Sequence, residues 1–383
     1  MSTLLKLPPL SLYIHIPWCI KKCPYCDFNS HSTNYEEPPE EAYVTALIQD
    51  LEEDLAKIWG RPIASIFIGG GTPSLFSAKA IERLLQAIHT RLAFNPLIEI
   101  TLEANPGTFE QQKFKDFKQI GINRLSIGVQ SFQNDKLNLL GRVHHGDEAK
   151  HAIEIAKEAG FINFNIDLMH GLPQQSVSDA LFDLTTALSF SPPHLSWYQL
   201  TIEPNTAFAK FSPVLPHEEI LFEIQQQGHA FLATNGYEHY EISAYAKPNH
   251  QANHNLNYWQ FGDYLGIGAG AHSKITDLAS QTIIRYTKTR NPKDYLDKTK
   301  SFTCHSQSIE TFDLPLEFMM NALRLTQGVS FDLFESRTGL AIHTISEQLR
   351  SAQQQGFLEK TFLKTTPLGQ QFLNDCLLSF EST

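Results

Sequence analysis

The 383-residue sequence predicts an α/β protein: a partial (β/α)6 barrel of the TIM type, a sheet extension, and a small C-terminal winged-helix-like domain. Three observations lead there. A strand-helix alternation repeats six times along the first half, a triplet of cysteines directly follows the first strand, and the pattern changes beyond about residue 236. Six units fall short of the eight that close a full barrel. The predicted boundaries are 1–236 for the partial barrel, 237–300 for the extension and 301–383 for the C-terminal domain.

The strands are read from β-branched and aromatic runs at Leu12–Ile16, Ser65–Ile68, Glu99–Glu103, Arg124–Gly128, Asn163–Leu168 and Leu195–Thr201. Between them, Glu41–Ile58, Ala78–Leu92, Glu110–Ile120, Asp147–Ala159 and Val177–Leu188 repeat apolar residues at helical spacing. In "KQIGINRLSI" and "AKEAGFINFNI" a glycine ends the helix just before an apolar strand entry, the C-cap signature of a chain turning back into a parallel sheet. In such folds chemistry gathers at the C-terminal ends of the strands, where this sequence places Cys19, Gly69–Gly71, Glu103, Gln130, Asp167 and Gln199. After a helix near His217–Thr234, "YEHYEISAYAKPNHQANHNLNYWQFGDYLGIGAGAHS" reads as a strand, a polar Asn/His loop and a glycine-rich stretch that extend the sheet over one edge. "NPKDYLDKTKSFTCHSQSIET" is the linker candidate. From Leu314 come three short helical patterns, then "GFLEKTFLKTTPLGQQFL", a hairpin followed by a helix near Pro367.

Composition narrows the class. With 42% apolar and 19% charged residues the chain can bury a large core. Its longest apolar stretches, such as Ile63–Ile68 and Leu265–Ala271, stop short of the roughly 18 residues of a membrane span, and Met1–Lys6 lacks a signal-peptide apolar region. Five cysteines, three clustered and two alone at Cys304 and Cys376, make a poor disulfide framework and suit a reducing compartment. A cytoplasmic protein that is not integral to a membrane is expected. The net charge of −11 opposes binding to nucleic acid phosphates, and the candidate recognition helix "AIHTISEQLRSAQQQG" offers a single arginine.

The chemistry concentrates in two stretches. "WCIKKCPYC" places Cys19, Cys23 and Cys26 in one short loop. Three thiolates can each bind one iron of a 4Fe-4S cube, leaving the fourth iron open to a small molecule. The alternative is a zinc site whose fourth ligand is His15, His31 or another residue. "FIGGGTPS", residues 67–74, follows the second strand, and its three glycines let backbone groups approach a polar ligand. Around the same mouth Glu103 suits an ammonium, Arg142 a carboxylate and Asp167 a ribose diol, with Gln130 beside them.

"YIHIPWCIKKCPYC" with "GGGTPS" resembles the radical S-adenosylmethionine superfamily, in its coproporphyrinogen-oxidase-like branch, from Tyr13 nearly to the C-terminus. The resemblance implies a radical SAM barrel whose 4Fe-4S ligands are Cys19, Cys23 and Cys26, with the methionine part of S-adenosylmethionine on the open iron. It implies S-adenosylmethionine contacts from Tyr13, Tyr25, Gly70, Gly71, Thr72, Glu103, Gln130, Arg142 and Asp167, shared between two molecules in the branch's oxidase. That oxidase has a Cys-x-Cys where this chain has Phe28, and a longer N-terminal extension where only twelve residues precede Tyr13. Both departures match the branch's heme-chaperone group, as does "HNLNYW", His254 to Trp259, which fits its His-Asn-x-x-Tyr-Trp motif. His254 is then the candidate heme ligand, with Tyr258 and Trp259 to stack on the macrocycle. The implied partners are heme and heme-accepting proteins, including transient contact with membrane-bound acceptors. Competing expectations are an oxygen-independent coproporphyrinogen III oxidase, a radical methyltransferase of the same branch, and a DNA-binding iron-sulfur sensor.

Overall fold

A computed structural model describes residues 4–33, 37–58, 60–108 and 111–381. The predicted helix start at Glu110 lies outside the described residues, as do residues 1–3 and 382–383 of the two terminal domains. In chain order the first part runs β1 (Leu10–Ile16), β2 (Trp18–Cys19), β3 (His31–Ser32), α1 (Glu40–Ile58), β4 (Ile63–Gly70), α2 (Ala78–His89), β5 (Phe94–Ala104) and α3 (Gln111–Gln119). It continues through β6 (Arg124–Gln130), α4 (Asn134–Leu139), α5 (Gly146–Glu158), β7 (Phe164–His170), α6 (Val177–Ser189), β8 (His194–Gln199), α7 (Ala207–Lys210) and α8 (Glu218–Thr234). Then follow β9 (Glu238–Glu241), β10 (Ala244–Ala246), α9 (Asn253–Trp259), β11 (Asp263–Ile267), β12 (His272–Asp277), β13 (Thr282–Lys288), α10 (Pro292–Tyr295) and β14 (Thr303–Ser308). The C-terminal region holds α11 (Leu314–Ala322), α12 (Phe331–Thr338), α13 (Ser346–Gln354), α14 (Pro367–Gln371) and α15 (Leu373–Leu378).

One twelve-stranded sheet organises the molecule, in the order β14-β13-β12-β11-β1-β4-β5-β6-β7-β8-β10-β9. The six predicted strands are β1 and β4–β8, all parallel to one another. Three readings are corrected. The extension does not close over one edge: β10 and β9 continue the sheet beyond β8, while β11 joins β1 in parallel and leads on to antiparallel β12–β14. The predicted linker folds instead into α10 and β14, which pairs with β13. The predicted polar Asn/His loop contains α9.

Strand alternation sets what faces the barrel interior. In β1, Leu10, Leu12, Ile14 and Ile16 enter the main core against the helices. Ser11, Tyr13 and His15 take the other face, where Ser11 bonds Ser65 at 2.8 Å and Tyr13 stacks on Phe67 at 6.3 Å between centroids. Helix starts are capped by the residues that the sequence supplies: Ser77 accepts from Ala80 N at α2, and Ser176 with Asp179 forms a capping box at α6. A second core gathers Phe318, Phe334, Leu349, Leu363 and Cys376 of the C-terminal region with Phe261, Ile283 and Leu5, so that both ends of the chain contribute to it. The hairpin predicted there is present as the antiparallel bridge Leu358–Thr365, and its Leu363 bridges Val329.

Candidate functional site

The cysteine loop is held at its base by backbone pairing. Gly71 N donates to Ile16 O at 2.8 Å and Thr72 N to Trp18 O at 2.7 Å, which fastens the end of β4 to the chain entering the loop. His31 N to Pro17 O and Thr33 N to Cys19 O close it from the other side. Its far end is tied by Asn29, whose amide donates to Ala269 O and Arg290 O. His15 adds a further tie. Since Asn29 O can only accept, His15 Nε2 donates to it at 2.9 Å and Nδ1 is left to accept from Tyr13 OH. The glycines serve this contact: a Cβ on Gly71 would stand 2.4 Å from Trp18 O, and one on Gly70, whose φ is +114°, 2.5 Å from the His15 ring.

Cys19, Cys23 and Cys26, all free thiols, line one cavity of about 490 Å³ at the C-terminal ends of the strands. Burial pushes the Cys19 thiol up to about 11, the neighbouring Cys26 and Cys23 adding to this and the Thr72 and Ser30 hydroxyls opposing it. Arg142 Nη1 lies 3.6 Å from Cys23 Sγ, a cation beside the sulfur, while its Nη2 donates to Gly128 O at 2.6 Å. Among the described residues no three His, Cys, Asp or Glu side chains converge as donors to a single metal ion. The three thiols instead share the rim of a cavity, which suits a cluster that takes one thiolate per iron.

The facing wall carries Gly70, Gly71, Thr72, Glu103, Gln130, Arg142 and Asp167, and Tyr25 stands beside the cysteines. Glu103 Oε2 accepts from Gly70 N at 3.0 Å. Burial, reinforced by Asp167, raises its carboxyl to about 7. Asp167, raised by burial as well, accepts from Ser126 and Asn165 at 3.0 and 2.7 Å. Gln130 has φ +71° at a register shift between β6 and β7, and its Oε1 accepts from Tyr198 OH at 2.8 Å. The Arg142 Nε, buried in this wall, has no hydrogen-bond partner. An unpaired guanidinium N–H, a carboxylate able to ionise near neutral pH and close backbone amides fit the ends of an amino acid ligand.

Two sequence candidates lie elsewhere. Tyr13 lines a second cavity of about 540 Å³ on the outer side of the cysteine loop, with Phe28, Tyr258, Tyr264, His272 and Arg290. His254 lines neither cavity. It is 1% exposed, with its ring 5.1 Å from that of Phe67 and 5.0 Å from that of Tyr258, its Nδ1 3.0 Å from Ser65 Oγ, and its Nε2 without a partner. Burial and Arg124 lower its pKa to about 3, so it is neutral.

Several lining residues escape the sequence reading. Gln199, placed at a strand end, is exposed and off the cavity, while Ser196 and Tyr198 line it. Two-residue alternation along β8 was the available signal. Glu241 and Arg324 also line it. Arg324 packs 4.3 Å over the Trp259 ring and pairs with Glu241 at 3.2 Å, a contact between segments too far apart for any local pattern to reveal.

Comparison with known proteins agrees with this architecture. The family model of the radical SAM superfamily matches residues 13–184, and that of the HemN C-terminal domain matches residues 312–372. A curated heme chaperone HemW from Escherichia coli is 50% identical over 379 residues, spanning 98% of this chain and 99% of its own. Its counterpart from Haemophilus influenzae is 50% identical over 381 residues, 98% of each chain, and that from Bacillus subtilis 36% over 343 residues, 87% of this chain and 88% of its own. The solved structure of coproporphyrinogen III oxidase (HemN) from Escherichia coli superposes with a TM-score of 0.83 at 24% identity, over 98% of this chain and 91% of that one, a likeness of fold. By its identity to these relatives along nearly its whole length, the chain belongs to the HemW heme chaperone family within the radical SAM superfamily.

Proposed function

We propose that the chain is a heme chaperone that binds heme and passes it to acceptor proteins, built on a scaffold that holds a 4Fe-4S cluster and S-adenosylmethionine. The observation that carries this reading is the 50% identity, across 98% of the chain, to proteins curated as heme chaperones. The 24% identity to the oxidase supports a common fold and no shared reaction. Phe28, which takes the place of the oxidase's additional cysteine, is 64% exposed and lines both cavities, so a ligand in either meets a ring there rather than a thiol.

Cys19, Cys23 and Cys26 hold the cluster in this reading, and Arg142 sets a cation beside the Cys23 sulfur. The bound cluster supplies an open iron on which an amino acid ligand can chelate. Around it Glu103 accepts from the amino group, the free Nε–H of Arg142 holds the carboxylate, and Asp167 accepts from the ribose hydroxyls. Gly70, Gly71, Thr72, Gln130 and Tyr25 complete the wall. Tyr13 acts at one remove, through His15 and Asn29, by fixing the loop. As seated, His254 meets no open cavity, and an iron ligand role for it requires α9 to move.

Anaerobic titration of the cluster-loaded protein with heme is expected to give a stoichiometric Soret band. Incubation with coproporphyrinogen III, S-adenosylmethionine and an electron donor is expected to leave the substrate unchanged. Formation of protoporphyrinogen would replace the chaperone reading with the oxidase.

A further inference from the structure

Beyond the barrel mouth the inner face of the sheet continues outward over β11, β12 and β13, and the second cavity opens on that shelf. Its volume of about 540 Å³ falls within the range of small-molecule sites. Its wall is aromatic: Tyr258 and Tyr264 stand with ring centroids 4.5 Å apart, Tyr13 lies beside them, and the exposed Phe28 ring closes the side toward the cysteine loop. Such a surface suits a flat, apolar macrocycle.

Polar groups occupy particular places on it. His272 and Thr287 are directly paired across β12 and β13, and Thr287 Oγ1 lies 3.3 Å from His272 Nδ1. An imidazole held at one nitrogen offers the other to a metal. His272 is reached by solvent, and the partial burial of its ring, with Arg285 and Arg290 nearby, lowers its pKa, which keeps the ring neutral at pH 7. Arg290 follows β13 on the same rim, its backbone fixed by the Asn29 amide at 2.8 Å, and forms no ion pair among the described residues. Asp27 is the carboxylate on this lining. The cavity's other histidine, His15, has both ring nitrogens engaged by Tyr13 and Asn29. Aromatic walls, the imidazole of His272 with one nitrogen open and one free guanidinium together match an iron porphyrin with carboxylate arms.

We propose that this second cavity is the heme-docking site, with His272 as an iron ligand and Arg290 paired to a propionate. The inference rests on the heme-chaperone reading and names the place where that reading is carried out. Phe28 then stands between the heme and the cluster cavity, lining both.

Difference spectra and electron paramagnetic resonance of the full-length, cluster-loaded protein titrated with ferric heme test it. His272→Ala is expected to weaken binding about tenfold or more and to change the Soret position and the iron spin state. Added imidazole is expected to restore the spectrum. Arg290→Gln is expected to weaken heme about fivefold and leave heme dimethyl ester, whose carboxylates are blocked, unaffected. His254→Ala is expected to bind heme as the unaltered protein does, and S-adenosylmethionine binding is expected to be the same in His272→Ala. An unaltered protein that binds no heme would remove the chaperone reading itself. Stoichiometric binding with an unchanged spectrum and affinity in His272→Ala, or loss of the spectrum in His254→Ala alone, overturns this assignment and leaves that reading standing. Weakened S-adenosylmethionine binding in His272→Ala also overturns it, since the cavity would then serve the nucleoside.

Discussion

On the proposed reading, a proton and the ligand's amino group compete for the Glu103 carboxylate. Burial and the neighbouring Asp167 hold its pKa at about 7, above the ordinary 4.5. A carboxyl raised in the folded state contributes stability below pH 4.5 that is lost as the pH rises through about 7. The ligand-free protein therefore loses thermal stability between pH 5 and about 7.5 through this group. An N–H of the ligand's amino group donating to it reverses the preference, so binding of S-adenosylmethionine at pH 6.5 should release protons, and its affinity should fall as the pH drops below about 7. Calorimetry in buffers of differing ionisation enthalpy reads this directly. Glu103→Gln should bind about tenfold more weakly or worse, with the proton release removed. Equal proton release in the variant would assign the titration to another group. The sequence makes Glu103 visible because a carboxylate ends a strand there; its raised pKa comes from burial and from Asp167 on the second strand along, which only the folded sheet supplies.

Among the elements, β4 and its glycines brace the cysteine loop. Gly71 is confined by Trp18 O, 2.4 Å from where a Cβ would stand, whereas Gly160, at φ +87°, has nothing within 4 Å of its own. Gly71→Ala should destabilise the protein by about 1–3 kcal/mol and lower the iron content after reconstitution. Gly160→Ala should cost about 1 kcal/mol through its backbone conformation and leave iron content unchanged. Iron content unaffected in Gly71→Ala would show that the loop adjusts without loss of its thiols. The βα elements were legible because each carries its own periodicity and caps. α9 was not: "NHNLNYW" has poor helix formers, and its place comes from partners remote in sequence. Glu99 accepts from the N–H groups of Asn253 and His254, and the Asn257 amide donates to Ser11 and to Asp263 O. β14 was hidden for another reason. As an edge strand with "TCHSQS" almost wholly exposed, it lacks the apolar alternation that marks a half-buried strand.

On the scale of the whole molecule, the cluster cavity is completed by a residue more than 300 positions from the first cysteine. Arg324, between α11 and α12, caps the Trp259 ring and pairs with the nearly buried Glu241 at the cavity wall. Removing it leaves Glu241 buried beside no cation, and burial already raises that carboxyl, so the variant's Glu241 should take up a proton rather than keep its charge. Arg324→Ala should thus keep its iron content, because no cysteine contact is touched. It should release S-adenosylmethionine several-fold faster, because the cation–π contact and the ion pair together are worth about 1–2 kcal/mol at a partly desolvated site. A double-mutant cycle with Trp259→Leu separates the alternatives. If the C-terminal region closes the cavity through this stack, the second substitution should add little to the first. Fully additive effects on the dissociation rate would mean that Arg324 and Trp259 act on the ligand independently, and that docking of the C-terminal region does not control the mouth.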